Sequence, residues 1–280
     1  MTANQDTEIK LKPRKRPLLW QAYLHWDELV EMRKRHTNRL SAITRGASNL
    51  DATFERNVME HMQIDTLLNY AEKTMVGCGK VTAGAIWPWI TGIRGLGAGG
   101  LAAQLIAQID DIGNYPNVSK LWRFCGYGLY EYWQTPGGKI VAPLVGWQVD
   151  PEDKRKRIRV RPEPSPNWTI VRIPDRGVTG WLLPYNRRLK SVCYLVTDQF
   201  IKQQTPAYVD FYYAAKEEER RLHPDLSLMH THRRAMRKTT KLFLQHLWSV
   251  WREAEDLPVT LPYAHAILGH TNYVAPLSQE

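Results

Sequence analysis

Residues 93–106 read IRGLGAGGLAAQLI, in which a glycine-rich turn leads directly into an apolar run. Gly95 and Gly97 flank one leucine, and residues without side chains allow the backbone to turn tightly and to approach a ligand. Leu105 and Ile109 continue the apolar run at helical spacing. The sequence therefore predicts a turn followed by a helix amino terminus, whose unsatisfied N–H groups can bind an anion.

Phosphate is the obvious anion, and two designs place a glycine turn before a helix. Gly95, Gly97 and Gly100 spell the G-x-G-x-x-G of nicotinamide-dinucleotide-binding enzymes, which needs a preceding strand and an acidic residue about twenty positions later. Residues 83–90 contain a proline and no strand alternation, and residues 115–120 contain no acid. The helix-hairpin-helix, which holds a nucleic-acid backbone, is favoured. The dinucleotide-binding enzyme and a helix corner without a ligand are the alternatives.

Composition and charge point to the same partner. The chain has 280 residues, and 38 Lys and Arg against 28 Asp and Glu give a formal charge of +10, which attracts polyanions such as DNA. Cys78, Cys125 and Cys193 are too few and too scattered for a disulfide framework or a zinc site. No apolar run approaches the ~20 residues of a membrane span, and Met1–Lys12 lacks a signal-peptide core. The expected location is cytoplasmic, without membrane contact.

Periodicity and composition divide the chain into five predicted segments. The predicted fold class is mainly α: a helical domain with a helix-hairpin-helix unit and a small antiparallel β insert. The segments are a flexible basic arm at 1–17, a helical hairpin at 18–76, the helix-hairpin-helix domain at 77–132, the β insert at 133–184 and a C-terminal helical domain at 185–280.

Particular residues predict the helices and strands within these segments. Asp51 is an N-cap candidate for a second helix, expected to run to about Met75, and Gly77-Cys78-Gly79 is expected to break the helical pattern. Arg157–Arg161 and Trp168–Ile173 alternate as strands do, so both are predicted to lie in the β insert.

The longest predicted helix, residues 226–253, carries a basic stripe. Arg234, Arg237, Lys238 and Lys241 recur at i, i+3, i+4 and i+7, and no carboxylate occurs between positions 229 and 245. A charge stripe is also typical of a solvated helix face. The absence of interleaved carboxylates favours a helix that follows a phosphate backbone.

Histidines near this helix invite a metal interpretation, which the spacing does not favour. No Cys or carboxylate accompanies them at the spacing that metal sites use, so no metal and no cofactor is predicted in this chain. The histidines concerned are His230, His232, His246, His265 and His270.

Several segments together carry a family resemblance. They are IRGLG at 93–97 with DDIG at 110–113, KLWRFCGY at 120–127, and YNRRLK at 185–190, followed by the helices at 207–216 and 232–251. This pattern resembles the helix-hairpin-helix transposase domain of the bacterial insertion-sequence family that includes the Piv DNA invertase. Tyr185 stands where that family has glycine. The resemblance covers about residues 90–252, apart from the β insert.

The resemblance implies a role in DNA transposition or recombination. Family members join a RuvC-like, metal-binding carboxylate domain to a serine nucleophile in the hairpin-bearing domain, while basic helices hold DNA and a structured guide RNA. Here the first third is predicted to be helical, so the carboxylate domain is missing. Mg²⁺ would act only if a partner subunit or a second copy supplied that domain.

The nucleophile is the second departure from the family. Between Gly126 and Tyr185 the only serine is Ser165, which lies between two prolines and outside the family's Ser-Gly context. Ser165 is the catalytic candidate, and a degenerate or accessory DNA-binding protein is favoured over an active recombinase that borrows carboxylates from a partner.

The predicted DNA-binding residues come from the hairpin, the following short helix, the helix start at 186 and the basic stripe. Phosphate contacts there would position DNA without reading its sequence. The residues are Arg94, Gly95, Gly97, Ala98, Gly99, Lys120, Arg123, Asn186, Arg187, Arg188, Lys190, Arg233, Arg234, Arg237, Lys238 and Lys241.

Overall fold

The computed structural model describes residues 13–174, 177–260 and 274–276. These residues form two compact units. The first consists of the described residues up to Gly84 together with Ile106–Asp111, and the second of Ala85–Leu105 and the described residues from Ile112 onward. The fold is mainly helical with small antiparallel sheets, as predicted. Within the described ranges, no helix has both the length and the apolarity that crossing a bilayer requires.

Three helices make up most of the first unit: α1 (Pro17–Thr44), α2 (Ala52–His61) and α3 (Ile64–Thr82). Proline at the first position of α1 fits a helix start, where its missing N–H costs nothing. The predicted N-cap is confirmed, because the Asp51 side chain accepts a hydrogen bond from the backbone N–H of Phe54. Most of the predicted basic arm, residues 1–12, lies outside the described residues.

Two details of the predicted hairpin are wrong. The single helix expected from Asp51 to Met75 is interrupted at Gln63, whose φ of +46° ends α2 and precedes α3. The break expected at Gly77-Cys78-Gly79 does not occur, because α3 continues to Thr82. A glycine inside a helix costs only about 1 kcal/mol, and Gly79 lies on the buried face of α3.

α1 and α3 are antiparallel. The Arg16 guanidinium donates to the carbonyl of Thr82 at the end of α3, while Arg33 pairs with Asp65 at its start at 2.9 Å. Leu29 packs between them in a core that also contains Ile64, Leu68 and Ala71.

The second unit begins with the glycine hairpin. α4 (Ile86–Gly92) leads into a turn in which the Leu96 N–H donates to the Ile93 carbonyl, and α5 (Gly100–Ile109) follows. The predicted turn and helix are confirmed. The residues before the turn form a helix instead of the strand that the dinucleotide fingerprint requires, so its structural context is missing here.

A short helix then leads into the β insert. α6 (Val118–Phe124) is capped by Asn117, and Gly126, with a φ of +79°, ends the predicted helical segment. The insert begins at Leu129, slightly earlier than expected. Its strands are β1 (Leu129–Gln134), β2 (Ile140–Pro143), β3 (Gly146–Val149), β4 (Arg157–Val160) and β5 (Thr169–Pro174).

The strands form two antiparallel sheets, one with the order β2-β1-β5 and one made of β3 and β4. Both strands predicted from alternation are confirmed, as β4 and β5.

Three helices complete the second unit: α7 (Arg187–Lys202), α8 (Tyr208–Leu222) and α9 (Leu228–Glu253). Asn186 and Ser227 cap α7 and α9 with their side chains. The second half of α9 is buried, and its Trp248 indole N–H donates to the Tyr115 carbonyl at 2.7 Å. The first half of α9 is more exposed and carries the predicted basic stripe.

Candidate nucleic-acid interface

A cleft of about 860 Å³ lies in the second unit, between the start of α7, the first half of α9 and the β2-β1-β5 sheet. Its walls are largely apolar, and none of the described residues that line it is Asp or Glu. Five side chains that are cationic, or become so on protonation, reach it from two helices: Lys190, His230, Arg233, Arg234 and Arg237. Much of the apolar lining comes from Tyr127, Ile140, Ile173, Pro174, Tyr194, Leu226 and Met236.

The start of α7 positions Lys190. The Asn186 carboxamide oxygen accepts the Leu189 N–H at 3.0 Å and fixes the first turn. The Lys190 ammonium then lies 4.4 Å from the Tyr185 ring centre and donates to its hydroxyl at 3.2 Å. Gly126 allows this arrangement, because a Cβ there would lie 2.7 Å from the Tyr185 ring and 2.8 Å from the Lys190 side chain.

Arg237 joins α9 to the end of the α6 segment. Its guanidinium donates to the carbonyls of Tyr127 and Gly128 at 2.8 and 2.9 Å. These neutral acceptors hold the side chain in place. Arg237 therefore supports the fold and brings a guanidinium to the wall of the cleft.

Two members of the basic stripe are partly neutralised by α8. Glu219 is only 3% exposed, and its carboxylate accepts hydrogen bonds from Arg234 at 2.5 Å and Lys238 at 2.9 Å. Burial opposes the charged form of Glu219, but these hydrogen bonds outweigh it and hold its pKa below the ordinary value. Lys238 also pairs with Glu218 at 2.5 Å. The sequence of the stripe contains no carboxylates, but Glu218 and Glu219 of α8 lie beside it in the fold.

Arg233 differs from its neighbours in the cleft. Its side chain is exposed and forms no ion pair or hydrogen bond with any residue that the structure describes. An anion in the cleft would therefore meet a guanidinium that has all its donors available.

Lys241 is not presented to the cleft. Its ammonium lies 4.0 Å from the Trp122 ring centre, and the Trp122 indole N–H donates to the Lys241 carbonyl. Burial, with a smaller effect from the charge of Arg237, lowers the pKa of Lys241 to about 8. Its predicted role as a phosphate contact does not agree with this position.

The glycine hairpin lies near the other end of α7. A Cβ on Gly95 would be 3.4 Å from the Gln199 side chain, and the Thr205 hydroxyl donates to the Arg94 carbonyl. Gln199 is nine residues beyond Lys190, about 13 Å along the helix. Arg94, Gly97 and Ala98 are exposed, whereas Gly99 is buried. The hairpin therefore lies apart from the cleft, whose cations were expected to bind the same DNA as the hairpin.

The remaining predicted DNA contacts do not line the cleft. Lys120, Arg187 and Arg188 are exposed on α6 and at the start of α7. The Arg123 guanidinium lies 5.4 Å from the Tyr130 ring centre.

Ser165 has none of the surroundings of a nucleophile. It lies exposed in the loop between β4 and β5, does not line the cleft, and its hydroxyl makes no hydrogen bond to any described residue. A serine needs an adjacent base to become nucleophilic.

The histidines in the described part of α9 have structural partners. His232 shares a hydrogen bond with the Tyr212 hydroxyl at 2.7 Å, and His246 with the Tyr208 hydroxyl at 2.9 Å. Among the described residues, no group of three or more His, Cys, Asp or Glu is placed to hold a metal ion. His265 and His270 lie outside those residues.

Sequence reasoning missed the apolar walls of the cleft and the role of Glu219. The acidic run Glu217–Glu219 is visible in the sequence, but only the packing of α8 on α9 shows which cations it meets. Comparisons of this chain with family models, with curated proteins and with solved structures found no match. The cleft's geometry is therefore the basis for assigning a function.

Proposed function

We propose that this protein binds nucleic acid through the cleft, as a transposase-like DNA-binding protein of a mobile element. One observation carries the proposal: Lys190, Arg233, Arg234 and Arg237 converge from two helices on one cleft, and none of the described residues that line it is a carboxylate. Such a concentration of positive charge attracts a phosphate backbone and gains free energy by releasing its counterions.

The available donors define how the backbone would be held. Arg233 can donate two parallel hydrogen bonds to one phosphate, and Lys190 can act as a point charge on the next. The apolar wall would exclude water, which strengthens both interactions. These contacts position a strand and do not read its bases.

The role in transposition rests on the resemblance of the hairpin, the α6 segment and the α7 start to the insertion-sequence family. The isolated position of Ser165 favours an accessory protein, so the carboxylates, their Mg²⁺ and the nucleophile would belong to a partner subunit. A structured guide RNA would present the same phosphates to the cleft.

The decisive experiment compares two double variants of equal charge. Lys190→Gln/Arg233→Gln removes two cleft cations, whereas Arg56→Gln/Lys73→Gln removes two exposed cations of α2 and α3. Fluorescence anisotropy with labelled DNA should give a Kd at least about tenfold higher for the cleft variant, since each charged hydrogen bond contributes ~1.5–3 kcal/mol. The control should stay close to wild type. Equal weakening in both variants, or no binding to DNA or structured RNA, would refute the proposal.

The accessory role has its own test. Ser165→Ala should leave strand transfer unchanged in a system reconstituted with the mobile element's other components. Loss of strand transfer in a variant that still binds DNA would make Ser165 the nucleophile and the protein a recombinase.

A further inference from the structure

One face of the β3–β4 ribbon is made of exposed side chains. Its register pairs Trp147 with Arg159 and Val149 with Arg157. Directly paired residues of an antiparallel ribbon project from the same face, so these four side chains lie together. All four are exposed, including Trp147 at 46% and Val149 at 45%.

The opposite face is covered at its Gly146 end, although Ile158 on that face is 37% exposed, and one edge of the ribbon is covered as well. Gly146 is buried, and a Cβ there would lie 2.5 Å from both Pro143 and Trp181. The Leu182 N–H donates to the Trp147 carbonyl at 2.8 Å, which covers the outer edge of β3. We call the face with Trp147 the outward face, because it is the more exposed of the two.

Positive charge is concentrated on and beside β4. Six cations occur between positions 154 and 161, and none of their side chains forms an ion pair or hydrogen bond within the described ranges. At the ribbon tip, Asp150 and Asp153 accept backbone N–H groups of the turn, while Glu152 and Glu163 lie outside the strands. The six cations are Lys154, Arg155, Lys156, Arg157, Arg159 and Arg161.

Edge protection alone does not account for this face. Charges on β4 would discourage pairing with another strand, but that purpose does not require a half-exposed indole beside them. An aromatic ring between cations is the arrangement that binds single-stranded nucleic acid, because a base stacks on the ring while its phosphates meet the cations. In a duplex the base faces are already stacked.

We infer that the outward face of the β3–β4 ribbon binds an unpaired nucleic-acid strand, with a base stacked on Trp147 and adjacent phosphates on Arg157 and Arg159. The site goes beyond the proposed function by adding a second surface with its own ligand class. It shares with that proposal only the premise that the protein binds nucleic acid. The cleft cations take no part in it.

The test measures full-length variants against a labelled oligo-dT of about 20 nucleotides, several times a minimal single-strand site, and against a duplex of equal length. Trp147→Ala should weaken oligo-dT binding about tenfold or more, as loss of a base–aromatic stack does, with duplex binding within twofold of wild type. Trp147→Phe should retain most of the affinity. Val149→Ala, on the same face, is the matched control and should bind oligo-dT normally.

The arginines give a second, independent readout. Arg157→Gln/Arg159→Gln should reduce the slope of log K against log salt for oligo-dT by about 1.4, or ~0.7 for each phosphate contact to a single strand. Circular dichroism and melting temperature would confirm that each variant is folded.

Specific outcomes would overturn the inference. If Trp147→Ala and Val149→Ala bind oligo-dT with equal affinity, stacking on Trp147 is excluded. If Trp147→Ala loses equal affinity for duplex and oligo-dT, the face contacts a duplex instead. A dimer in wild type that dissociates in the ribbon variants would assign this face to a second copy of the chain. If Lys190→Gln/Arg233→Gln binds DNA with wild-type affinity while Trp147→Ala binds oligo-dT weakly, the cleft proposal fails and the ribbon site stands. Absence of any nucleic-acid binding would remove both.

Discussion

At the scale of single residues, Glu219 is the carboxylate that we expect to contribute most to stability. It is buried and satisfies both Arg234 and Lys238. Replacing it in Glu219→Gln leaves the cations facing a neutral amide, so we expect the free energy of unfolding at pH 7 to fall by about 2 kcal/mol. Urea unfolding measures this. Glu218→Gln is the control, because Glu218 is half exposed and should change stability by less than about 0.5 kcal/mol.

The same carboxylate makes stability depend on acid pH. Because the pKa of Glu219 is lower in the folded protein than its ordinary value of 4.5, the stabilisation is complete above that value. It is lost as pH falls through the lowered, folded-state pKa. Glu219→Gln should therefore lie closest to wild type in stability at the acid end of a pH series. A difference that stays constant from neutral to acid pH would show that the charge of Glu219 does not contribute.

The charge of Lys241, unlike that of Glu219, is expected to destabilise the folded protein. Its pKa of about 8 lies below the ordinary 10.5, so the unfolded chain binds more protons between these values and stability should rise with pH across that window. Lys241→Met keeps the apolar stem and removes the buried charge. We expect this variant to lack that rise and to be about 1 kcal/mol more stable at pH 7, after the loss of the contact with Trp122.

Thermal melts from pH 7 to 10.5 measure this effect, with Lys120→Met as the exposed-lysine control. A loss of stability at pH 7 in Lys241→Met would mean that the ammonium on Trp122 contributes more than its burial costs.

At the scale of elements, the backbone of the glycine hairpin requires a glycine at position 95 but not at position 97. Gly95 has a φ of +95° and lies against Gln199, whereas a Cβ on Gly97 would make an ordinary 3.5 Å contact with the Thr91 carbonyl. Gly95→Ala should lower the free energy of unfolding by about 1–3 kcal/mol, the cost of a side chain at positive φ. Gly97→Ala should change it by less than about 0.5 kcal/mol. Chemical denaturation of both variants measures the difference, and equal values would contradict the turn geometry.

The predictable elements were those with local signals. The cap at Asp51 and the strand alternation at residues 157–161 could be identified because each depends on neighbours along the chain. The interruption at Gln63 had no such signal, since glutamine is a good helix former. Gly77 misled in the other direction, because the apolar contacts of α3 outweigh a modest glycine penalty.

The candidate site was only half predictable for a related reason. The family resemblance pointed to Lys190, and spacing along the chain pointed to the cations of α9. Their convergence on one cleft depends on how α7 packs against α9. The packing of α6 and α8 on α9 likewise turned Lys241 inward against Trp122 and brought Glu219 to Arg234. These outcomes depend on contacts between residues far apart in the chain, which a periodic pattern does not contain.

At the scale of the whole molecule, the formal charge of +10 does not predict how many cations a phosphate backbone would meet. Arg234 and Lys238 are ion-paired with carboxylates of α8, and Lys241 is packed on an aromatic ring. Only cations that face a ligand release counterions from it. The salt dependence of binding therefore distinguishes a localised site from a diffuse field.

This distinction gives a prediction for duplex DNA. The slope of log K against log salt should fall by about 2 in Lys190→Gln/Arg233→Gln, close to one per phosphate contact removed. Lys241→Met also removes a formal charge, but its ammonium is packed on Trp122, so its slope should equal that of wild type. Anisotropy titrations between about 50 and 200 mM salt, the range over which such contacts change affinity steeply, measure the slopes. If instead each variant lowers the slope in proportion to its charge alone, binding follows net charge and the cleft is not the site.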